Sequence, residues 1–353
     1  MTRFLLAAII LPLISALTVP SALADSAKPL SGIKLICVWT LAGENELAVA
    51  EGVKQAKSLG FNAVCWNRPG LAAACHKLGL KAYAIVSPLE RRETALLQVL
   101  KKGEEKLAGF DPGKIPPEQF YQYGGEPVQG KREILDQNLA CPNDPGVLEH
   151  SLKKVAELRD AGCDGVIWDF VGYRNYKSCE CNLCLTELEN FRKEHPKLDE
   201  EESRNSFYEN ILVSLYDALY RETKRIAPNL NILNHIHPVF LPDIFYGHRV
   251  RVDYCGVTVS WFFKPHWPLE KVREYTLKVL SGPYTHKEVN GMPMIGFYTD
   301  GQYARDRKSP ERLEKEFEIL KETGARHLIM CELGHILRDK DAARVVRREL
   351  ADK

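Results

Sequence analysis

Four of the ten cysteines in this 353-residue chain are spaced so that they could hold a metal ion. Cys179, Cys181 and Cys184 form a C-x-C-x-x-C run, and Cys141 lies upstream beside Pro142. Three thiols that close together do not readily bridge one another, but with a distant fourth they can close the tetrahedral thiolate cage that zinc favours. Four thiolates fill the coordination sphere, so the expected ion is a structural zinc, with disulfides among the same four as the alternative. No organic cofactor is expected. Between the two cysteine stretches runs Asp164-Gly165-Val166-Ile167-Trp168-Asp169-Phe170, a strand-like segment that ends in a carboxylate. Carboxylates recur after two later strand-like runs, as Asp300 in Gly296-Phe297-Tyr298-Thr299-Asp300 and as Glu332 in Met330-Cys331-Glu332-Leu333-Gly334. The plainer role for each is to cap the following loop or to pair with an arginine such as Arg68 or Arg174.

Aromatic residues gather at the same kind of position. Trp39, Trp66, Trp261 and Tyr298 each fall at or just after a strand-like run, and Tyr173 follows Asp169 closely. Such rings offer flat apolar faces to a ligand or fill the rim as core. His235 and His237 alternate in Asn234-His235-Ile236-His237-Pro238, so on a strand both side chains point to one side. A paired-histidine metal site is one reading, and a hydrogen bond to a ligand hydroxyl or a rim carboxylate is the plainer one.

These residues need a scaffold that brings strand ends together. From residue 33 onward, short apolar runs rich in β-branched and aromatic residues alternate with longer stretches of helical period. The runs at 33–39, 61–66, 81–86, 165–170, 230–236, 256–261, 294–298 and 327–331 predict eight strands. Eight alternating units indicate an α/β chain folded as a (β/α)8 TIM barrel, with a doubly wound open sheet as the alternative. The phrases Ser58-Leu59-Gly60-Phe61, Asp160-Ala161-Gly162-Cys163 and Glu322-Thr323-Gly324-Ala325 repeat one helix–glycine–strand junction. Two connections are long: about 55 residues after strand three, with an expected helix at 91–107, and 171 to about 203 after strand four. In a barrel both leave from the C-terminal strand ends, the face where barrel proteins place their sites. Asp253, just before strand six, would lie on the opposite face and is set aside.

The N-terminus has Arg3, an apolar run from Phe4 to Leu17, and Ala22-Leu23-Ala24 before Asp25. That is the layout of a secretory signal peptide at 1–24, cleaved after Ala24. A single domain over 25–353 is expected, secreted or periplasmic, without a membrane association once the signal is removed. Lys plus Arg number 48 against 47 for Asp plus Glu, so the chain offers no broad field for nucleic acid or anionic membrane. Cys37, Cys65, Cys163, Cys255 and Cys331 lie in or beside apolar runs and read as small core residues, with pairing across neighbouring strands left open.

The segment Cys141-Pro142-Asn143-Asp144-Pro145, followed by Cys179-Glu180-Cys181-Asn182-Leu183-Cys184 and Phe191-Arg192, resembles glycoside hydrolase family 42. In that family the matching cysteines bind a structural zinc beside the barrel mouth. The phrase from Asp164 to Arg174 also resembles a strand of several hypothetical barrel glycosidases, where the second Asp is the catalytic group. Family 42 enzymes carry an Asn-Glu pair at the end of strand four, and this chain has Asp169 near that place instead. The resemblance implies a carbohydrate substrate and hydrolysis of a glycosidic bond by two carboxyl groups. Asp169 is then expected as nucleophile or stabilising carboxylate, Glu332 as acid/base and Asp300 as its rival. Trp39, Trp66, Tyr173, His237, Trp261 and Tyr298 are the expected substrate contacts. The competing expectations are a non-catalytic carbohydrate-binding barrel and a metal-dependent polysaccharide deacetylase using His235, His237 and Asp169 or Asp300.

Overall fold

Runs of valine, isoleucine, leucine and small residues make the strands, because branched side chains suit a pleated surface buried on both faces. The computed structural model describes residues 28–38, 46–102, 138–175, 177–236, 247–260, 266–298 and 308–351. Its strands are β1 (Lys34–Cys37), β2 (Ala63–Cys65), β3 (Lys81–Val86), β4 (Gly165–Trp168), β5 (Asn231–Ile236), β6 (Tyr254–Thr258), β7 (Asn290–Gly296) and β8 (Leu328–Cys331). They pair in chain order, all parallel, and β8 returns to β1 to close the barrel.

Helices pack around this cylinder. They are α1 (Glu46–Ser58), α2 (Leu71–Lys77), α3 (Gly146–Asp160), α4 (Asn182–Glu194), α5 (Glu200–Ile226), α6 (Leu269–Ser281), α7 (Pro310–Glu322), α8 (Leu333–Arg338) and α9 (Lys340–Leu350). The long α5 starts at a capping box in which Asp199 and Glu202 satisfy each other's backbone N–H groups. Ser309 caps α7, with Pro310 in its first turn. At the repeated junctions, Gly60, Gly162 and Gly324 adopt φ of 95°, 77° and 79°, a left-handed turn that a side chain resists. Among the described residues no helix stands between β5 and β6.

Successive strand residues point to opposite faces, which splits the core in two. Leu35, Tyr83, Ile167, Leu233, Met294 and Ile329 belong to the inner cluster that fills the barrel. Val64, Val166, Trp168, Val257 and Phe317 belong to the outer one, between strands and helices. Asp253 pairs with Lys224 at 2.7 Å and accepts the Ile232 N–H at 2.7 Å, at the start of the strands.

Two expectations change. β7 begins at Asn290, four residues earlier than its apolar run, because Gly291 and Pro293 join the ladder opposite Cys255 and Val257. The helix expected at 91–107 is absent from its described part, residues 91–102. Leu97 instead forms an antiparallel bridge with Ala140, and neighbouring backbone groups bond to the cysteine-bearing segments. No helix among the described residues is long and apolar enough to cross a membrane. The expected signal segment, 1–24, lies outside the described residues.

Candidate active site and metal centre

The cysteine cluster forms where the two long connections meet. Leu96 O accepts the Cys141 N–H at 2.6 Å, and Val99 O accepts the Glu180 N–H at 2.8 Å, so the 96–99 segment is stitched to both cysteine stretches. Buried Gln98 adds a second tie: its amide donates to Ala140 O and Gly172 O and accepts the Arg174 N–H. Arg204 binds Ser178 at 3.0 Å and also pairs with Glu180. Sequence reasoning missed Gln98 and Arg204, whose roles exist only once the connections lie side by side.

Within this frame the sulfurs of Cys141, Cys179, Cys181 and Cys184 lie within 4.8 Å of one another, and all four residues are buried. Cys141 Sγ is 3.3 Å from Cys184 Sγ and 3.7 Å from Cys181 Sγ. A disulfide requires about 2.05 Å, whereas a tetrahedron with arms of about 2.3 Å has edges of roughly 3.8 Å. All ten cysteines are free thiols. Hydrogen bonds from the Cys141 and Cys184 thiols, joined by the backbone N–H groups of Cys181 and Val99, draw the Cys179 sulfur toward thiolate. The Asn143 N–H points at Cys141 in the same way. Four converging sulfurs with N–H donors aimed at them could hold a metal ion.

Tyr173 belongs to this centre and not to an open mouth. It is fully buried, its hydroxyl donates to Tyr208 O at 2.9 Å, and the Tyr208 hydroxyl donates to Cys179 O at 2.7 Å. The expected substrate contact at Tyr173 thus becomes a brace beneath the cysteines.

The barrel mouth carries the second constellation. Asp169 follows β4 and is 6 % exposed; its Oδ1 lies 3.2 Å from His235 Nδ1 and accepts the Phe170 N–H at 2.9 Å. Phe170 takes φ of 52°, a left-handed conformation uncommon for a bulky residue, which re-aims the chain straight after the carboxylate. On β5, His235 presents its other nitrogen, Nε2, to Thr258 Oγ1 on β6 at 3.1 Å. Parallel register brings these residues together: Trp168 pairs with Asn234, and His235 with Gly256. The result is a buried carboxylate–imidazole–hydroxyl chain across three adjacent strands. Both ring nitrogens of His235 face protein groups.

Glu332 follows β8, on the far side of the cylinder from β4. It is fully buried, and its Oε1 accepts the His335 N–H at 2.5 Å, capping α8. Tyr298 stands beside it, its ring centroid 4.9 Å from that of His335. Trp66 is buried at the edge of a cleft between α2 and α3, lined also by Arg68, Lys154 and Phe170. Trp39, His237, Trp261 and Asp300 lie outside the described residues.

A third buried polar group went unforeseen. Lys308 Nζ lies 2.9 Å from Glu316 Oε2 and 3.1 Å from Ser260 Oγ, while Ser260 donates to Glu316 Oε1 at 2.6 Å. Arg312 Nε reaches the same carboxylate at 2.9 Å. This network joins the exit of β6 to the start of α7, both on the mouth face.

The architecture is a (β/α)8 TIM barrel, and the solved structures it resembles share that fold. The chain is similar to the PgaB (BpsB) glycoside hydrolase domain from Bordetella bronchiseptica, with a TM-score of 0.59 and 10 % identity over 92 % of this chain and 100 % of that one. It is similar also to a β-galactosidase from Rahnella sp. R3, TM-score 0.55 and 10 % identity, over 91 % of this chain and 55 % of that one. The catalytic domain of a β-amylase from Paenibacillus polymyxa gives 0.53 and 9 % over 92 % and 98 %. At such identities the likeness is one of fold. No family model matches the sequence, and no curated protein matches it, so the family 42 resemblance stands on the cysteine motif.

Proposed function

We propose that this chain is an exported glycoside hydrolase acting on a carbohydrate, with Asp169 as the nucleophile or stabilising carboxylate of its mouth. The observation that carries the reading is the Asp169–His235–Thr258 chain at the C-terminal strand ends. Barrel enzymes place their chemistry on that face. One oxygen of Asp169 is held by an imidazole and a backbone N–H, which fixes the carboxylate in place at the mouth, as a nucleophile or a stabiliser of an oxocarbenium-like centre requires. His235 orients this carboxylate; with both nitrogens engaged it is poorly placed as a ligand of a catalytic metal, which disfavours the deacetylase reading. The acid/base falls to Glu332 or Asp300. Complete burial and the capping of α8 favour Asp300 for this task and leave Glu332 as the residue that shapes the rim.

The metal we assign to the cysteine cluster is zinc, in a structural role, since four thiolates leave no open position. Cys141, Cys179, Cys181 and Cys184 would hold it. Export rests on the signal-like pattern at 1–24. The test is Asp169→Asn, assayed with the wild type on a panel of aryl glycosides and polysaccharides. Turnover by the wild type, lost in Asp169→Asn while sugar binding persists, is the expected result. Binding without turnover in the wild type would make the chain a carbohydrate-binding barrel instead.

A further inference from the structure

Three thiols inside the barrel belong to neither constellation. Cys37, Cys65 and Cys331 are the last residues of β1, β2 and β8, three neighbouring strands. Register aligns them on one level: Cys37 pairs with Cys65 on one side and with Cys331 on the other. All three are buried in the inner cluster, and the Cys37 thiol is hydrogen-bonded to both of its neighbours. The same cluster holds Met292 and Met294, and Met294 Sδ lies 4.0 Å from the Thr258 hydroxyl that bonds to His235. The floor of the proposed mouth is therefore lined with sulfur, at a level where most barrels place branched aliphatic side chains.

We propose that this row is a second metal site, two-coordinate and selective for a soft univalent cation such as Cu(I), with Cys37 as pivot and Cys65 or Cys331 as the second ligand. In the outer cluster four sulfurs converge on one point, which suits a tetrahedral ion; here they are strung along three strands. Neighbouring strands stand roughly 4.8 Å apart, comparable to two metal–thiolate bonds of about 2.3 Å laid end to end. A linear pair of thiolates satisfies univalent copper but leaves zinc or a hard divalent ion short of ligands. The two thiols release their protons on binding, and the thioethers and the His235 imidazole complete a soft, water-poor surround.

The site is tested on the full chain, reduced, zinc-loaded and titrated anaerobically with Cu(I), with native mass spectrometry counting both metals. Two variants accompany the wild type: Cys37→Ala, and Cys65→Ala combined with Cys331→Ala, which keeps Cys37 but removes both partners. Equal zinc content in all three proteins reports an intact fold and an intact outer cluster, and if Cys37→Ala does not fold the double variant carries the test. The wild type is expected to hold one Cu(I) per chain more than either variant at unchanged zinc. Equal copper counts in wild type and variants, or copper gained only as zinc is lost, would overturn the proposal.

Discussion

The cysteine centre and the barrel mouth are both buried polar constellations at strand ends, yet they are encoded in opposite ways. Three of the four clustered thiols lie within six residues at the entry to α4, and the fourth is brought in by backbone hydrogen bonds from the 96–99 segment. The mouth takes Asp169, His235 and Thr258 from three strands, none close to another in sequence, and register alone aligns them. The first kind of site survives as a spacing pattern. The second is a property of the closed sheet, and leaves only a carboxylate at the end of an apolar run.

Four measurements bear on that contrast. Asp169→Asn should cost the proposed reaction about 10²–10⁴-fold in kcat, the usual scale for a positioned acid–base or charged catalytic group, while metal content and melting temperature hold. A matching loss of metal would erase the separation between the two regions. Lys308→Met should break the buried pair with Glu316 and destabilise the fold by about 3 kcal/mol, read as a shifted urea midpoint, because Glu316 and Ser260 then lose a partner in the dry interior. Zinc should stay bound in that variant, since the network lies on the β6–β7 side of the barrel.

Stripping the metal with a strong chelator should lower the melting temperature by about 5 °C or more, corresponding to about 2 kcal/mol for a chain of this size. The loss should appear first as faster amide exchange around 138–145 and 177–186, with the barrel strands still protected. Protection lost uniformly would mean that the centre holds up the whole fold. The smallest effect is expected from Tyr173→Phe, about 1 kcal/mol, because the Tyr208 carbonyl loses one hydrogen bond. Sugar affinity should be unchanged; a selective loss of affinity would return Tyr173 to the mouth.

The eight strands were legible because parallel strands buried on both faces leave compact apolar runs between helical stretches. Their limits were less so. Gly291 and Pro293 are poor strand formers, and they pair in β7 only because β6 lies alongside as a partner. Residues 91–102 have helical period but no helix, since their backbone groups are claimed by Leu139, Cys141 and Glu180 across the chain. The Lys308–Glu316 pair carried no signal either, as a charged residue at a helix start normally faces water.

Local chemistry and period were thus written in the residues themselves: a thiolate cluster with metal spacing, eight strands, glycine junctions, and carboxylates at strand ends. Tertiary structure decided which carboxylate meets an imidazole, which one caps a helix, and which tyrosine is a brace. It also aligned Cys37, Cys65 and Cys331, three residues that read singly as filler. Spacing along the chain is a short-range quantity that sequence records directly. Register around a closed barrel is collective, because each strand's position is set by both neighbours and by closure of the ring.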